Sequence, residues 1–239
     1  MKPYYDREGI TIYCGDCREI LPQLGPAETV ITDPVWPNAI GNLIGSENPE
    51  GLFSDFLKIL PRETKRLIVQ LGCDSDPRFL RFVPDWLPFI RLCNLDYAVP
   101  NYKGRILYTG DIAYAFGQPP ASIKGRHLLS GRCISTKADP MFMRHSGRNK
   151  DGRRSTAGPE DNLPHPAPRR LEHVRWLVSQ FTDKDDIVLD PFLVSGTTAV
   201  AAKYLNRKCI GIEIEERYCE IAVNRCRQMV FDLQGVTDA

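Results

Sequence analysis

No run of this 239-residue chain approaches the roughly 18 consecutive apolar residues that a bilayer-spanning helix requires. The opening residues, Met1-Lys2-Pro3-Tyr4-Tyr5-Asp6, also lack the apolar h-region of an export signal. A cytoplasmic protein with no membrane contact is therefore expected. A metal framework is missing as well. Cys14 and Cys17 match C-x-x-C, but no second closely spaced Cys or Cys/His pair completes four zinc ligands among the eight cysteines. Without an export signal these cysteines are expected reduced and partly in the core, and no metal is expected. Charge of one sign is absent too: 31 Lys and Arg stand against 30 Asp and Glu, a net of +1. The chain as a whole does not advertise a polyanionic partner. No internal repeat appears.

What remains is ordinary for a globular protein, with 42% apolar and 26% charged residues. The length fits one α/β domain, or one domain carrying a sizeable insertion. The charge is unevenly spread, however. Between residues 124 and 154 lie nine basic residues (Lys124, Arg126, Arg132, Lys137, Arg144, Arg148, Lys150, Arg153 and Arg154) and only two acids, Asp139 and Asp151. A basic segment set in an acidic body is a candidate nucleic-acid surface, with a solvated loop as the plain alternative.

Taken in order, Ile10–Cys14 reads as a strand ending at Gly15-Asp16, and residues 17–21 have room for one or two helical turns before Pro22. Thr29–Thr32 is a short strand that stops at Asp33-Pro34-Val35-Trp36-Pro37, where two prolines forbid further ladder pairing. Residues 51–60 carry a helical apolar pattern closed by Pro61, and 66–71 read as a buried strand. A helix within 79–92 is an open alternative. Residues 106–109 and 112–116, separated by Gly110-Asp111, read as a hairpin. From 117 to 168 periodicity is lost in a stretch rich in Gly, Pro, Ser and basic residues, a length that points to function or disorder. Order returns with a helix after Arg169, a strand at 187–189, a helix at 199–205 with Asn206 as its cap, a strand at 209–213 and a last helix at 216–230. Strands alternating with helices predict an α/β fold with a doubly wound, mostly parallel sheet.

The chemistry gathers at two strand ends. In Ile187–Thr198 an apolar run ends in Asp190, passes through a small-residue turn and opens into an Ala-rich segment. A strand delivered in this way to a helix N-terminus gathers a polar ligand on backbone N–H groups. Twenty-three residues beyond Asp190, the next apolar run ends at Glu213, an acid suited to the hydroxyls of a ribose. A nucleoside-bearing cofactor is expected.

Four segments then carry a family resemblance. Asp33-Pro34-Val35-Trp36 resembles the [D/N/S]-P-P-[Y/W] motif of amino-group methyltransferases, and Asp190-Pro191-Phe192-Leu193-Val194-Ser195-Gly196-Thr197-Thr198 resembles their D-P-F-x-G-S-G-T-T cofactor loop. His165-Pro166-Ala167-Pro168-Arg169 is similar to their H-P-T-Q-K-P segment, and Gly15-Asp16-Cys17 to the G-D-C ahead of the catalytic motif. The order, catalytic motif before cofactor loop with the basic segment between, resembles the beta group of DNA N6-adenine and N4-cytosine methyltransferases. The resemblance covers about residues 9–36 and 164–226, and implies the Rossmann-like methyltransferase fold. It divides the chain into a catalytic domain of residues 1–117 and 164–239 and a small target-recognition insertion at 118–163.

It implies S-adenosylmethionine as cofactor and double-stranded DNA as partner, in a restriction–modification, phage or orphan setting. A homodimer and a partner nuclease are left open. By the same resemblance Asp33, Pro34 and Trp36 are catalytic. Asp190 and the turn through Ser195, Gly196 and Thr197 contact the methionine part, Glu213 the ribose and Asp16 the adenine amine; Cys17 is a further cofactor-binding residue, and Phe192 lies near the reacting methyl. The physics agrees: an exocyclic amine has its lone pair delocalised into the ring, so a site that methylates it needs acceptors for both hydrogens. Asp33 and the Pro34 carbonyl offer two, and Trp36 offers a ring for a flipped base, worth about 1–3 kcal/mol of stacking. Asp33 favours adenine, since cytosine-N4 members of the group usually begin the motif with Ser or Thr. Cytosine N4, RNA or a protein amide as substrate, and a weakened or inactive DNA-binding relative, are the alternatives. The last is raised by Val35, where the motif's second proline would stand, and by Val194, where its first loop glycine would stand. A β-branched residue at a positive φ would be strained against the cofactor.

Overall fold

The computed structural model describes residues 1–37, 43–103, 105–121, 130–135 and 169–234. Its centre is a run of five parallel strands. In chain order the strands are β1 (Tyr5–Arg7), β2 (Ile10–Cys14), β3 (Thr29–Thr32), β4 (Arg66–Gly72), β5 (Phe89–Lys103), β6 (Ile106–Gly117), β7 (Arg132–Ile134), β8 (Ile187–Asp190) and β9 (Lys208–Glu213). Across the sheet the order is β1-β2-β9-β8-β3-β4-β6-β5-β7. Strands β2, β9, β8, β3 and β4 run parallel, whereas β1 and β6 run against their neighbours.

Both faces of this sheet are covered, which is why its central strands are nearly continuous apolar runs instead of alternating ones. Register sorts the side chains: Val30 lies opposite Leu67, and Ile31 opposite Ile68. Val30 and Leu67 pack with Phe53, Phe56 and Leu57 of α2 (Pro49–Ile59) and with the short α1 (Cys17–Ile20). Ile31 and Ile68 face the other way, into a core with α3 (Leu171–Phe181), α4 (Thr197–Tyr204) and α5 (Glu216–Gln234). Helix α1 passes at once into a 3-10 turn, Leu21–Gln23, which accommodates Pro22 near its start where no N–H is required.

The sheet's direction of growth reverses between β8 and β3. From β3 the chain winds through α2 to β4 on one side; from β8 it winds through α4 to β9 on the other. Ligands of open α/β sheets bind outside the carboxyl ends of the strands at such a switch point. At the opposite end of this seam, buried Arg66 donates to Asp183 at 2.8 Å and Asp186 at 2.9 Å. It also donates to the Phe181 carbonyl, tying the α3–β8 connection to the start of β4. Leaving Arg66 without these carboxylates would strand a buried cation, so the pairing also fixes alignment.

Three expectations need correction. Gly110-Asp111 is no turn: residues 106–117 are one strand, antiparallel to both β4 and β5. A side chain at Gly110 would meet the Leu95 carbonyl oxygen at 2.4 Å, so the glycine serves close strand approach and not chain reversal. The 79–92 region is a 3-10 turn, Pro77–Phe82, followed by the start of β5, because Pro84 and Pro88 break any longer helix. Within the aperiodic stretch, Arg132–Ile134 forms β7 on the edge of the sheet. Asn206 is in the left-handed region at φ 54°, just past the end of α4, as a C-terminal cap requires.

Candidate active site

The parallel strands deliver four acids to one edge. Asp16 follows β2, Glu213 ends β9, Asp190 ends β8 and Asp33 follows β3, in that spatial order. Residues from opposite ends of the chain thereby share a cavity of about 310 Å³. Asp16, Cys17, Asp33, Pro34, Trp36, Phe192, Val194 and Glu213 all line it. Glu47, Asn48 and Asp55, Ile214 and Tyr218 line it too, and sequence reading had singled out none of these.

Each acid is held differently. Asp16 caps α1, accepting the Arg18 N–H at 2.8 Å. Hydrogen bonds from the Arg18 guanidinium hold its carboxyl below the ordinary range. Glu213 is buried and accepts two backbone N–H groups, from Val194 at 2.8 Å and from Glu215 at 2.8 Å. These are neutral dipoles, and burial outweighs them, pushing the carboxyl up to about 7. Cys17 is buried with its thiol pushed up to about 12, so it lines the cavity as a small neutral group. Phe192 packs edge-on against Phe56 at 5.7 Å, which fixes its ring at the cavity wall.

Asp190 does not border the large cavity. It lines a small adjoining one of about 30 Å³ together with Asp33, Gln70, Arg169, Phe192, Val194, Ser195 and Thr197. Its carboxylate accepts the Thr32 hydroxyl at 2.8 Å and the Phe192 N–H at 3.2 Å, joining β8 to β3 and shaping the turn. Burial pushes this carboxyl up to about 6, against the pull of hydrogen bonds from Thr198, Thr32 and Phe192.

The turn after β8 is clamped from several sides. Val194 adopts φ 48°, the left-handed region in which a β-branched residue is strained. Gly196 has φ 80°, and a side chain there would meet the Ala222 Cβ at 2.6 Å. Its place in the motif thus serves helix contact; it lines neither cavity. Arg225, buried on α5, donates one Nη1 to the Ser195 carbonyl at 2.7 Å, the Ser195 hydroxyl at 3.0 Å and the Thr197 hydroxyl at 3.0 Å. No sequence signal marked Arg225; its position on the last helix gives no hint of the contact.

Asp33 is held by a cation. Arg169 forks onto its carboxylate, Nε to Oδ2 at 2.7 Å and Nη2 to Oδ1 at 2.8 Å. The third nitrogen pairs with Asp111 at 2.6 Å, and the guanidinium lies 4.4 Å from the Trp36 ring centroid. Asp111 also accepts the Tyr97 hydroxyl at 2.6 Å. Burial drives the Asp33 carboxyl up while Arg169 opposes it, and the two carboxylates raise Arg169. Arg169 stood in a quoted motif, but its partner could not be read from sequence, and Asp111 had been read as a turn residue.

Of the nine basic residues expected on nucleic acid, only Arg132 lies among the described residues. It sits on the exposed face of β7 and pairs with Asp96 at 2.5 Å. Lys124, Arg126, Lys137, Arg144, Arg148, Lys150, Arg153 and Arg154 lie outside the described residues, as does His165. Among the described residues no group of three or more His, Cys, Asp or Glu is arranged to hold a metal, and all eight cysteines are free thiols. No described helix is long and apolar enough to cross a membrane.

The mostly parallel sheet with its covering helices is shared with solved methyltransferases. The M1.HpyAVI–SAM complex matches at TM-score 0.62 and 21% identity over 90% of this chain and 98% of that one. The PvuII cytosine-N4-specific DNA methyltransferase matches at TM-score 0.65 and 20% identity over 94% and 88%. The fold is therefore that of the Rossmann-like methyltransferases. More specifically, residues 112–224 match the DNA methylase (N6/N4) family model. Type II methyltransferase M.ScaI of Streptomyces caespitosus is 41% identical over 266 aligned positions, covering 94% of this chain and 83% of that protein. The chain belongs to the N6/N4 DNA methylase family. Matches to M.BglII of Bacillus subtilis and M.HindIII of Haemophilus influenzae, at 44% and 47% identity, are local and span 18% and 21% of those proteins.

Proposed function

We propose that this chain is a site-specific DNA N6-adenine methyltransferase that uses S-adenosylmethionine and acts on the amine of a flipped adenine in double-stranded DNA. The observation that carries this reading is the single cavity shared by Asp33, Pro34 and Trp36 with Asp16, Phe192 and Glu213. Its volume of about 310 Å³ suits a small-molecule site. Glu213 and Asp16 are the acceptors that would hold the ribose and the adenine of the cofactor, and Phe192 with Val194 the wall near the reacting end. Bound there, S-adenosylmethionine supplies a methyl group activated by a positively charged sulfur.

The chain's own residues do the rest. The Asp33 carboxylate and the Pro34 carbonyl accept hydrogen bonds from the two N–H groups of the target amine, which draws its nitrogen away from conjugation with the ring. The nitrogen–methyl bond forms as the methyl–sulfur bond breaks, and one amine proton is released to solvent. Trp36 stacks the flipped base and so holds that nitrogen in line, and positioning supplies most of the rate. Asp33, where cytosine-N4 members of the group usually carry Ser or Thr, supports adenine. The PvuII match keeps cytosine N4 as the rival. The basic segment between 124 and 154 would neutralise phosphates, so binding should weaken steeply with salt.

The test is transfer of labelled methyl from S-adenosylmethionine to mixed-sequence duplex DNA, RNA and protein in parallel, followed by nucleoside analysis. Label appearing as N6-methyladenine in DNA is expected. Label as N4-methylcytosine, or only in RNA or protein, would replace the adenine reading, and no label in any arm would favour the inactive DNA-binding alternative.

A further inference from the structure

The contact that no motif predicts is the one between Arg169 and Asp33. We propose that Arg169 is a positioning residue for methyl transfer: braced by Asp111 and by the Trp36 ring, it fixes the Asp33 carboxylate that receives the target amine. The inference rests on the reading of Asp33 as amine acceptor.

The geometry favours a prop over a plug. Arg169 borders only the small cavity, whereas Asp33 and Trp36 open onto the large one. The guanidinium therefore approaches from behind and leaves the large-cavity side of both side chains clear. A two-bonded fork engages both carboxylate oxygens and leaves each with a further lone pair, since a carboxylate offers about four acceptor sites. One of those remains for the amine. The fork also sets the plane of the carboxylate, which a single hydrogen bond would not do.

The charges point the same way. One cation stands between two carboxylates, Asp33 and Asp111, so the group carries a surplus of one negative charge beside the reacting nitrogen. That nitrogen becomes positive as it gains the methyl, and a preorganised negative group stabilises the change most where water is excluded. Among the described residues, several elements bring charged and titratable groups to Asp33. Arg169 comes from the residue pair ahead of α3, Asp111 from β6, Tyr97 from β5 and Asp190 from β8. Cys73, after β4, faces Asp111 and Arg169. Among these described groups Arg169 is the only cation on Asp33, with Arg170 and His173 packed one step further out on the Tyr97 ring. Without it, burial and two neighbouring carboxylates would all oppose ionisation of Asp33.

Opposite-signed variants test this. Arg169→Met should lower kcat about 100-fold near neutral pH with the DNA KM changed less than threefold. It should also move the acid limb of the pH–rate profile upward by about one unit or more, because a carboxylate needed in its ionised form is then lost at higher pH. Asp111→Asn keeps an acceptor for the Tyr97 hydroxyl but removes a negative charge, so its acid limb should move downward. Arg169→Lys, a charge without the fork, should restore the limb but only part of kcat. Calorimetry should give Asp111→Asn the wild-type affinity for S-adenosylmethionine, since Asp111 lines neither cavity.

An acid limb unmoved by Arg169→Met would overturn the inference. So would faster transfer by that variant, the signature of a plug, or an upward shift in Asp111→Asn. Should Arg169→Met not fold, the direction of the Asp111→Asn shift decides alone. Carbon-13 titration of the Asp33 carboxyl, compared between wild type and Arg169→Met, separates the two claims. If the wild type labels no nucleic acid, the proposed function fails, while an upward shift of that titration still supports the clamp and its absence removes it.

Discussion

Two acids on the same sheet edge, buried Glu213 and part-buried Asp33, are supported by opposite means. Glu213 is met by backbone N–H groups from a strained turn and from Glu215, just ahead of α5; Asp33 is met by a guanidinium with a partner of its own. Neutral dipoles support a carboxylate weakly, and burial leaves Glu213 titrating at about 7. A cation supports it directly and gives it a plane. On the proposed function the difference suits the two tasks. An acid that binds two hydroxyl donors gains its missing support from the ligand, whereas an acid that handles a reacting amine has to be in place beforehand.

The sharpest way to break this comparison is to remove one acid at a time. Asp33→Asn should lower methyl transfer about 1,000-fold, within the usual span for a group acting on protons in the transition state. Its S-adenosylmethionine affinity, measured by calorimetry, should stay within twofold; a loss of both would merge the two halves of the site. Glu213→Ala should do the reverse, weakening S-adenosylmethionine about 100-fold through the loss of hydrogen bonds to a charged group.

The same contrast predicts a pH dependence. S-adenosylmethionine binding that uses ionised Glu213 should weaken as pH falls below about 7, approaching tenfold per unit. The ligand-free fold responds with the other sign. A carboxyl raised from an ordinary 4.5 to about 7 contributes stability below the ordinary value and loses it as pH climbs through 7. Thermal melts from pH 4.5 to 8 should show this decline, and Glu213→Ala should flatten it. A parallel slope in both proteins would assign the effect elsewhere, with Asp190, at about 6, as the next group to remove.

Smaller effects sharpen the picture of the turn. Arg225→Met takes three hydrogen bonds from Ser195 and Thr197, and should cost about 2 kcal/mol in chemical denaturation and roughly tenfold in S-adenosylmethionine affinity. Val194→Gly relieves a left-handed valine and should stabilise the fold by about 1 kcal/mol, the strain recovered less the entropy glycine adds. S-adenosylmethionine should then bind severalfold tighter. A variant neither more stable nor tighter-binding would remove strain at Val194 from the account.

How much of this was legible in the sequence depended on the range of the interaction. The parallel strands, α2 and the three C-terminal helices announce themselves because apolar periodicity is a local property. The four acids were found because each stands at the end of a recognisable apolar run. Glycine misled at Gly110, where the chemistry that permits a turn also permits two backbones to approach, and only the partner strand distinguishes the cases. Arg169 with Asp33, and Arg225 with Ser195, pair residues 136 and 30 positions apart. A long side chain reaching between elements leaves no periodic trace. Val194 was the exception: the glycine that the resembling motif carries there raised the question of a left-handed φ, and the structure answers it.

The seam between β8 and β3 sets a timetable for the molecule. Only two residue pairs, Thr29 with Val188 and Val30 with Leu189, register the strands, and Thr32 reaches Asp190 across 158 positions of chain. During synthesis the Asp33 segment is therefore finished long before the strand that completes its site exists. At about 5–20 residues per second, the wait is of the order of ten seconds or more. Parallel pairing at such separation is intrinsically slow to nucleate. Until it closes, the β3 edge is an unpaired row of N–H and C=O groups. On the proposed function, the site is complete only once the C-terminal third of the chain has been made.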